Sequence, residues 1–240
     1  MALLKDHLDF LDEVKNNVIT KKLCELMNFT NFHLCKLMNS GLFVPILQSN
    51  NDIIIKHVID NAASVTAIDA KGISLIHYLC SLTQSITLLD YVIEKYKIDL
   101  ETETPNKSRP IFYACELGSF EKIKFLVNKK VDLGTRDVRN YMPIHYACSR
   151  QPFEVIHFLL DLSINLMDND AIWLLIHLVC KYRDSKIIKE ILPYIKSLLP
   201  SISLHNNGTM CNKIDDAIGN NHHVFMEDIA DLNKFIITNC

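Results

Sequence analysis

The chain has 240 residues, 49% of them hydrophobic, so it is long enough and apolar enough to bury a large core. It carries 25 basic and 28 acidic residues, which give a formal net charge of −3. Because the two signs are interspersed, this balance gives no electrostatic case for binding nucleic acid or an anionic membrane, and any charged patch must be local.

The N-terminal segment, residues 1–34, is rich in helix-forming patterns and lacks a repeated motif, so we expect a helical cap over the repeats that follow. It has early charges at Lys5, Asp6 and Asp9 and no apolar stretch with a cleavage site, which argues against a secretory signal. The longest strongly apolar run, residues 171–180, is shorter than the roughly 18 residues of a membrane span. We therefore predict a cytoplasmic or nuclear protein without a membrane partner.

A seven-residue pattern recurs along the middle of the chain. It reads SLIHYLC, RPIFYAC, MPIHYAC and, more loosely, LLIHLVC. Its fourth positions hold, in order, His77, Phe112, His145 and His177. The resulting spacings of 35, 33 and 32 residues are typical of stacked helix pairs, in which each pair buries its apolar face only against its neighbours.

A second apolar block accompanies each unit, with members at positions i, i+1, i+4 and i+5. This spacing predicts a helix with one buried stripe. The members are Ile54, Ile55, Val58 and Ile59; Leu88, Leu89, Val92 and Ile93; Ile123, Leu126 and Val127; Val155, Ile156, Leu159 and Leu160; and Ile187, Ile188, Ile191 and Leu192. Polar stretches such as residues 69–72 and 136–140 supply turn-forming Asp, Gly and Asn between the pairs.

These motifs resemble those of the ankyrin repeat family. The run KVDLGTRDVRNYMPIH fits the family pattern G-A-D-V-N-A-K-D-x-x-G-x-T-P-L-H without a gap, and NAASVTAIDAKGISLIHYLC does the same around His77. The resemblance implies an all-α, ankyrin-type solenoid of about six stacked helix-turn-helix repeats with short turn or hairpin tips, after the N-terminal helical cap. The implied repeat domain spans 35–240, divided as 35–67, 68–102, 103–135, 136–167, 168–205 and 206–240, with degenerate outer repeats.

The resemblance also assigns structural roles within the motif. In this family the motif histidine hydrogen-bonds within its turn and to the adjoining repeat, which is the role implied for His77, His145 and His177. Pro110 and Pro143 retain the proline that opens the first helix of a repeat, where a missing N–H costs nothing.

The eight cysteines and ten histidines raise the alternatives of disulfides or a metal site. Their spacing argues against both. One cysteine occurs per repeat three residues after the fourth motif position, and equivalent positions of packed helices lie roughly 10 Å apart, too far for a disulfide or a shared metal. The histidines likewise form a row rather than converge. We expect free thiols, no metal and no cofactor.

No phosphate loop, nucleophile elbow, Rossmann glycine pattern or H-E-x-x-H motif occurs in the sequence. We therefore predict no catalytic residues and a non-catalytic protein–protein interaction module or scaffold. A substrate-receptor or inhibitory subunit of a larger complex is the alternative, and a diverged small enzyme is the least favoured. The sequence indicates neither the partner's identity nor the oligomeric state.

Partner-contacting residues of ankyrin repeats lie at the turn tips and on the concave face beside them. Transferred by position to the fourth and fifth repeats, the resemblance selects Val138, Arg139, Tyr141, Arg150, Trp173, Lys181 and Tyr182. Trp, Tyr and Arg dominate interface energetics, so the implied partner is a protein with an acidic and apolar segment. For Trp173, whose tip is one residue short, the alternative is burial in the core.

Overall fold

The computed structural model describes residues 34–39, 43–49, 51–182 and Tyr194, except for the side chains of Asn169, Trp173, Cys180 and Lys181. The predicted cap, apart from Leu34, and the predicted sixth repeat lie outside the described residues. Within the described part, the regular structure is helical, with one isolated β-bridge between Ile68 and Ser74.

The helices follow the order that the repeated pattern predicts, as successive pairs joined by short loops. The described residues begin with a short helix, α1 (Leu34–Met38). The pairs are α2 (Phe43–Gln48) with α3 (Asp52–Asp60), α4 (Leu75–Leu82) with α5 (Ile86–Tyr96), α6 (Pro110–Leu117) with α7 (Phe120–Asn128), and α8 (Pro143–Arg150) with α9 (Phe153–Ser163). A 3₁₀ turn (Ile164–Leu166) and α10 (Asn169–Tyr182) complete the described chain.

The chain divides into two compact units. The first extends to Ala114 and includes Gly118–Val131, and the second comprises Cys115–Leu117 and the chain from Asp132 onward. In the first unit, α5 packs against α4 and α7, and in the second, α8 packs against α9 and α10. Each unit therefore has its own set of packed helices.

The four predicted apolar stripes that fall on described residues are buried, apart from Val127 of α7, which is half-buried. The fifth stripe, at Ile187, Ile188, Ile191 and Leu192, lies outside the described residues. The buried stripe residues are Ile54, Ile55, Val58 and Ile59 of α3, Leu88, Leu89, Val92 and Ile93 of α5, Ile123 and Leu126 of α7, and Val155, Ile156, Leu159 and Leu160 of α9. Pro110 and Pro143 lie at the first residue of α6 and α8, as the family pattern implies. Removal of these stripes from water is the main favourable term available to the helix pairs.

One stripe position carries a charge instead of an apolar group. Lys122 of α7 stands where α5 has Leu88 and α9 has Val155, and its side chain is fully buried. Its ammonium Nζ donates to the carbonyl oxygen of Cys80 at 2.6 Å and lies 3.4 Å from that of Leu79. Both carbonyls lie in the last turn of α4, where the negative end of the helix dipole attracts positive charge.

The loop after α4 is one residue longer than the next two loops, and the carbonyl of Leu79 has different donors from its equivalents there. Three residues join α4 to α5, whereas two residues join each of the next two pairs. In the shorter loops the backbone N–H of Gly118 donates to Ala114 at 2.8 Å, and that of Gln151 donates to Ala147 at 2.9 Å. At the equivalent carbonyl of Leu79, the donors are the Lys122 ammonium and the Thr83 hydroxyl, at 2.9 Å.

We predict that Ile156→Ala in α9 lowers the free energy of unfolding by about 2 to 5 kcal/mol, because it leaves a cavity in the core of the second unit. Ile156 is 0% exposed, whereas Ile53 in α3 is 50% exposed and provides a control of the same residue type. Ile53→Ala should change stability by roughly 0.5 kcal/mol or less. Urea titration of both variants measures the difference, and equal losses would contradict the assignment of Ile156 to the core.

Stability should also depend on pH through Lys122. Burial lowers the pKa of its ammonium to about 8, with Cys80 acting in the opposite direction. Between that value and the ordinary lysine pKa of 10.5, the unfolded chain holds a proton that the folded chain has lost, so the contribution of Lys122 to stability rises with pH. At about 1.4 kcal/mol per pKa unit, the rise from about pH 7.5 to about pH 10 is roughly 2 kcal/mol.

Lys122→Met isolates this effect from other groups that titrate in the same range. Burial raises the pKa of the Cys80 thiol to about 12, with Lys122 acting in the opposite direction, and that shift lowers stability as pH rises. Removing Lys122 can only raise this pKa further, so the folded thiol stays protonated up to about pH 10 in both proteins. We expect the free energy of unfolding of the wild type, minus that of Lys122→Met, to increase across this pH range in urea titrations. A constant or falling difference would show that Lys122 remains charged in the fold.

Candidate partner-binding site

The turn tip before α4 is built around a buried carboxylate. Oδ1 of Asp69 accepts the backbone N–H groups of Lys71 and Ile73, each at 2.8 Å, and Oδ2 accepts the hydroxyl of Tyr78 at 2.7 Å. Burial by itself would raise the pKa of Asp69, but the hydrogen bonds from Ile73, Tyr78 and Lys71 outweigh it and hold the pKa below its ordinary value. The carboxylate therefore fixes the course of the tip.

The tip before α8 repeats this arrangement. Oδ1 of Asp137 accepts the backbone N–H groups of Arg139 at 2.9 Å and Tyr141 at 2.8 Å, and Oδ2 accepts the hydroxyl of Tyr146 at 2.7 Å. Asn140 closes the turn with φ 64°, at the position where Gly72 of the other tip has φ 76°. Asparagine tolerates this left-handed conformation better than most residues.

Only the side chains presented by the two frameworks differ. Arg139 takes the position of Lys71, and Tyr141 that of Ile73. The guanidinium Nε of Arg139 donates to Oδ2 of Asp137 at 3.3 Å, and its Nη2 donates to the Tyr146 hydroxyl at 2.7 Å.

The guanidinium of Arg139 also stacks on aromatic rings. Its central carbon lies 4.6 Å from the ring centre of Tyr141 and 5.6 Å from that of Tyr146. The side chain nevertheless remains 60% exposed. Ile73 provides no ring for such a contact in the other tip. The second unit therefore presents a cation that is both accessible and held in one position.

Arg136, in the same tip, has a different role. Its Nη1 donates to the side chain of Asn140 at 3.1 Å, and its Nη2 pairs with Oδ2 of Asp168 at 3.0 Å. Asp168 in turn accepts the backbone N–H of Ala171 at 2.9 Å at the start of α10. Burial opposes the shift, but the Ala171 N–H and the Arg136 charge hold the pKa of Asp168 below its ordinary value. Arg136 thus joins the tip to α10.

His145 makes the two contacts that the family resemblance implies. Its Nδ1 accepts the backbone N–H of Met142 at 2.8 Å, and its Nε2 donates to the carbonyl of Ala171 at 2.9 Å. Burial lowers the pKa of His145 to about 4, so the ring is neutral near pH 7. A neutral, buried ring with both nitrogens hydrogen-bonded acts as a structural link between α8 and α10.

The other two motif histidines do not make both implied contacts, since Nε2 of His77 and Nδ1 of His177 are buried without a hydrogen-bond partner among the described residues. His77 is buried, and its Nδ1 lies 2.8 Å from the Ser74 hydroxyl and 3.3 Å from the Ser74 backbone nitrogen, which donates to it. Burial lowers the pKa of His77, partly offset by backbone groups of Ser108 and Thr102. Phe112 is a buried apolar residue at the equivalent position, and His177 lies half-buried on α10.

The residues selected from the sequence fall into separate groups. Val138, which is 59% exposed, lies beside Arg139 and Tyr141 in the tip. Arg150 is exposed at the last residue of α8, a helix of eight residues that is about 12 Å long, so the helix separates it from the tip. Tyr182, 48% exposed, is the last residue of α10.

Trp173 and Lys181 lie on α10, but their side chains are outside the described part of the structure. The positional transfer placed Trp173 in a turn tip, whereas α10 begins at Asn169 and includes it. Trp173 falls within the helix because α10 begins early. Asp168, one residue before α10, caps it by accepting the backbone N–H of Ala171. The exposure of the Trp173 ring stays a prediction.

Sequence reasoning missed Tyr146, which holds both Asp137 and Arg139. A signal for it was present, since an aspartate precedes a motif tyrosine by nine residues in both tips. Tyr113 occupies the same motif position in the third repeat, but the residue nine positions before it is Thr104 and not an aspartate.

The described part of the chain contains no cluster of three or more His, Cys, Asp or Glu side chains that could bind a metal ion. Cys35, Cys80, Cys115 and Cys148 are free thiols, and the last three are buried. No described helix is long and apolar enough to cross a membrane.

A family model for ankyrin repeats matches residues 76–170 in three copies, from α4 to the start of α10. This match confirms the resemblance and the all-α, ankyrin-type fold, while the total of six repeats stays a prediction. No curated protein matches the chain significantly.

Tyr146→Phe should lower the free energy of unfolding by about 1 to 3 kcal/mol, because a buried carboxylate loses one of its donors. Tyr78→Phe removes the equivalent bond to Asp69 and should cost a similar amount. Urea titration compares the two. A loss at one tip and none at the other would contradict the common carboxylate framework.

Proposed function

Because residues 76–170 are ankyrin repeats, which are generally protein–protein interaction modules, we propose that this chain is a non-catalytic module or scaffold. It binds a protein partner through turn tips and the concave face beside them. The observation that carries the proposal is the Arg139 guanidinium, held by Asp137, Tyr146 and Tyr141 and still open to solvent.

The tip before α8 has the properties of an energetic centre for binding. Arginine and tyrosine are over-represented among the residues whose truncation costs most affinity. An arginine fixed by its neighbours has already lost much of its side-chain freedom, so binding it costs less entropy than binding a mobile one. Exposed Val138 adds apolar surface beside the charge.

The partner that suits this surface presents acidic and apolar groups on a short segment or helix. Arg139 and Arg150 supply exposed positive charge, and Val138, Tyr141 and Tyr182 supply apolar and aromatic surface. The net charge of −3 favours a protein over nucleic acid or an anionic membrane, and the cytoplasm or nucleus is the proposed location.

A substrate-receptor or inhibitory subunit of a larger complex is the second candidate, and it would use the same surface. A diverged small enzyme is the least favoured candidate, and the motif histidine His145 is not available to it as a general base. Its two nitrogens are engaged by Met142 and Ala171, and its pKa of about 4 leaves it neutral near pH 7.

The test begins with affinity capture of bound proteins from the native cell extract, followed by binding measurements with the purified partner. Arg139→Ala, Tyr141→Ala and Trp173→Ala should each weaken binding, with about 2 kcal/mol or more for Trp173→Ala. The Arg139→Ala effect should shrink as salt rises, because the interaction is electrostatic.

Lys71→Ala is the matched control, since Lys71 occupies the Arg139 position of the first unit's tip and is exposed. It should leave affinity unchanged. A partner whose affinity ignores all three substitutions would remove this surface from the binding site. Unfolding curves of every variant separate lost binding from lost fold.

A further inference from the structure

The outward edge of the Arg139 guanidinium restricts which acidic segments can bind. Building on the proposed function, we infer that Arg139 receives one carboxylate of the partner, bound end-on through Nη1 and Nη2. An apolar partner residue beside that carboxylate covers Val138.

The hydrogen bonds of Arg139 assign the two edges of its guanidinium. The edge formed by Nε and Nη2 faces the tip, since Nε donates to Asp137 and Nη2 to Tyr146. A guanidinium has five N–H groups, and these bonds use two of them. Of the other three, one on Nη1 and one on Nη2 point in parallel along the end-on edge, and the second on Nη1 points toward the Cδ side. A carboxylate accepts two parallel N–H bonds in this geometry.

The ring contact beneath the guanidinium makes this edge a fixed feature. The Tyr141 ring lies under one face at 4.6 Å, and Tyr141 is itself held because its backbone N–H bonds to Asp137. The planar fork therefore cannot turn without losing contacts on its inner edge and one face. Lysine at this position would offer a flexible point charge without the two parallel donors.

The local charge favours a carboxylate over a phosphate group. The Asp137 carboxylate lies against Arg139 and offsets its charge, and Arg136 is paired with Asp168. Arg150 is at the far end of α8. A phosphate carries close to two negative charges near pH 7 and binds where several cations converge. A single fork with little excess charge instead suits a monoanion with two oxygens.

Val138 extends the recognition by one neighbouring residue. It directly precedes Arg139, its side chain is among the most exposed apolar groups of the described chain, and the Asp137 framework fixes the backbone on both sides. The ligand that fits both features is a peptide in which an acidic group adjoins an aliphatic or aromatic side chain.

The experiment selects peptides on the full-length protein. Random octapeptides are synthesised on beads in two libraries, one with an amidated C-terminus and one with a free C-terminal carboxylate. Each is screened with the wild type, Arg139→Ala, Arg139→Lys, Tyr141→Ala and Lys71→Ala, after unfolding curves show that all are folded. Phosphoserine is included among the building blocks.

The wild type and Lys71→Ala should enrich peptides with Asp or Glu next to an apolar residue. Individual selected peptides should bind Arg139→Ala at least about tenfold more weakly, and Arg139→Lys should not restore them, because lysine lacks the fork. Enrichment in the free-terminus library alone would show that the bound carboxylate is the C-terminus of the peptide and not an Asp or Glu side chain.

Several results would overturn the inference: acidic peptides that bind Arg139→Ala as well as the wild type, enrichment of phosphoserine over Asp and Glu, or no enriched class. Peptides that depend on Tyr141 but carry no acidic group would overturn the carboxylate assignment and leave the proposed binding surface intact. Loss of the surface itself is judged separately, by a captured partner that ignores Arg139→Ala and Tyr141→Ala.

Discussion

A buried carboxylate must find hydrogen-bond donors, and this requirement shapes the tips before α4 and α8. Asp69 and Asp137 each gather two backbone N–H groups and one tyrosine hydroxyl, which closes the chain into a turn of defined course. The side chains between these anchors are then free to vary without loss of the turn. In the second unit that freedom is used to display Arg139.

The sequence predicted the parts of the fold that depend on periodic burial. The stripes of α5 and α9 are buried where the spacing i, i+1, i+4, i+5 places them, since a helix repeats its face over that interval. Asp137 and Tyr146 were harder to pair, because they are nine residues apart on different elements. The sequence pattern placed Trp173 in a turn tip because it assumes that every repeat begins its first helix at the same position. The helix here begins earlier, at Asn169, and includes Trp173.

The candidate site was predicted only in part for a related reason. The family pattern selects Val138, Arg139 and Tyr141 together with Arg150, but a sequence pattern contains no distances. In the structure, Arg150 is separated from the three tip residues by the length of α8. Nor does a list of exposed positions distinguish Arg136 from Arg139. Their roles differ through hydrogen bonds to Asp168 and Tyr146, which depend on where the neighbouring chain runs.

Lys122 links two helix pairs of the first unit through one hydrogen bond. Its ammonium, carried by α7, donates to the carbonyl of Cys80 near the end of α4, and the Thr83 hydroxyl donates to the neighbouring carbonyl of Leu79. An apolar residue at position 122 removes a donor from the end of α4, so the cost of that change depends on which other donors the helix end keeps. Positions 83 and 122 are therefore expected to be epistatic, although they lie on different helix pairs.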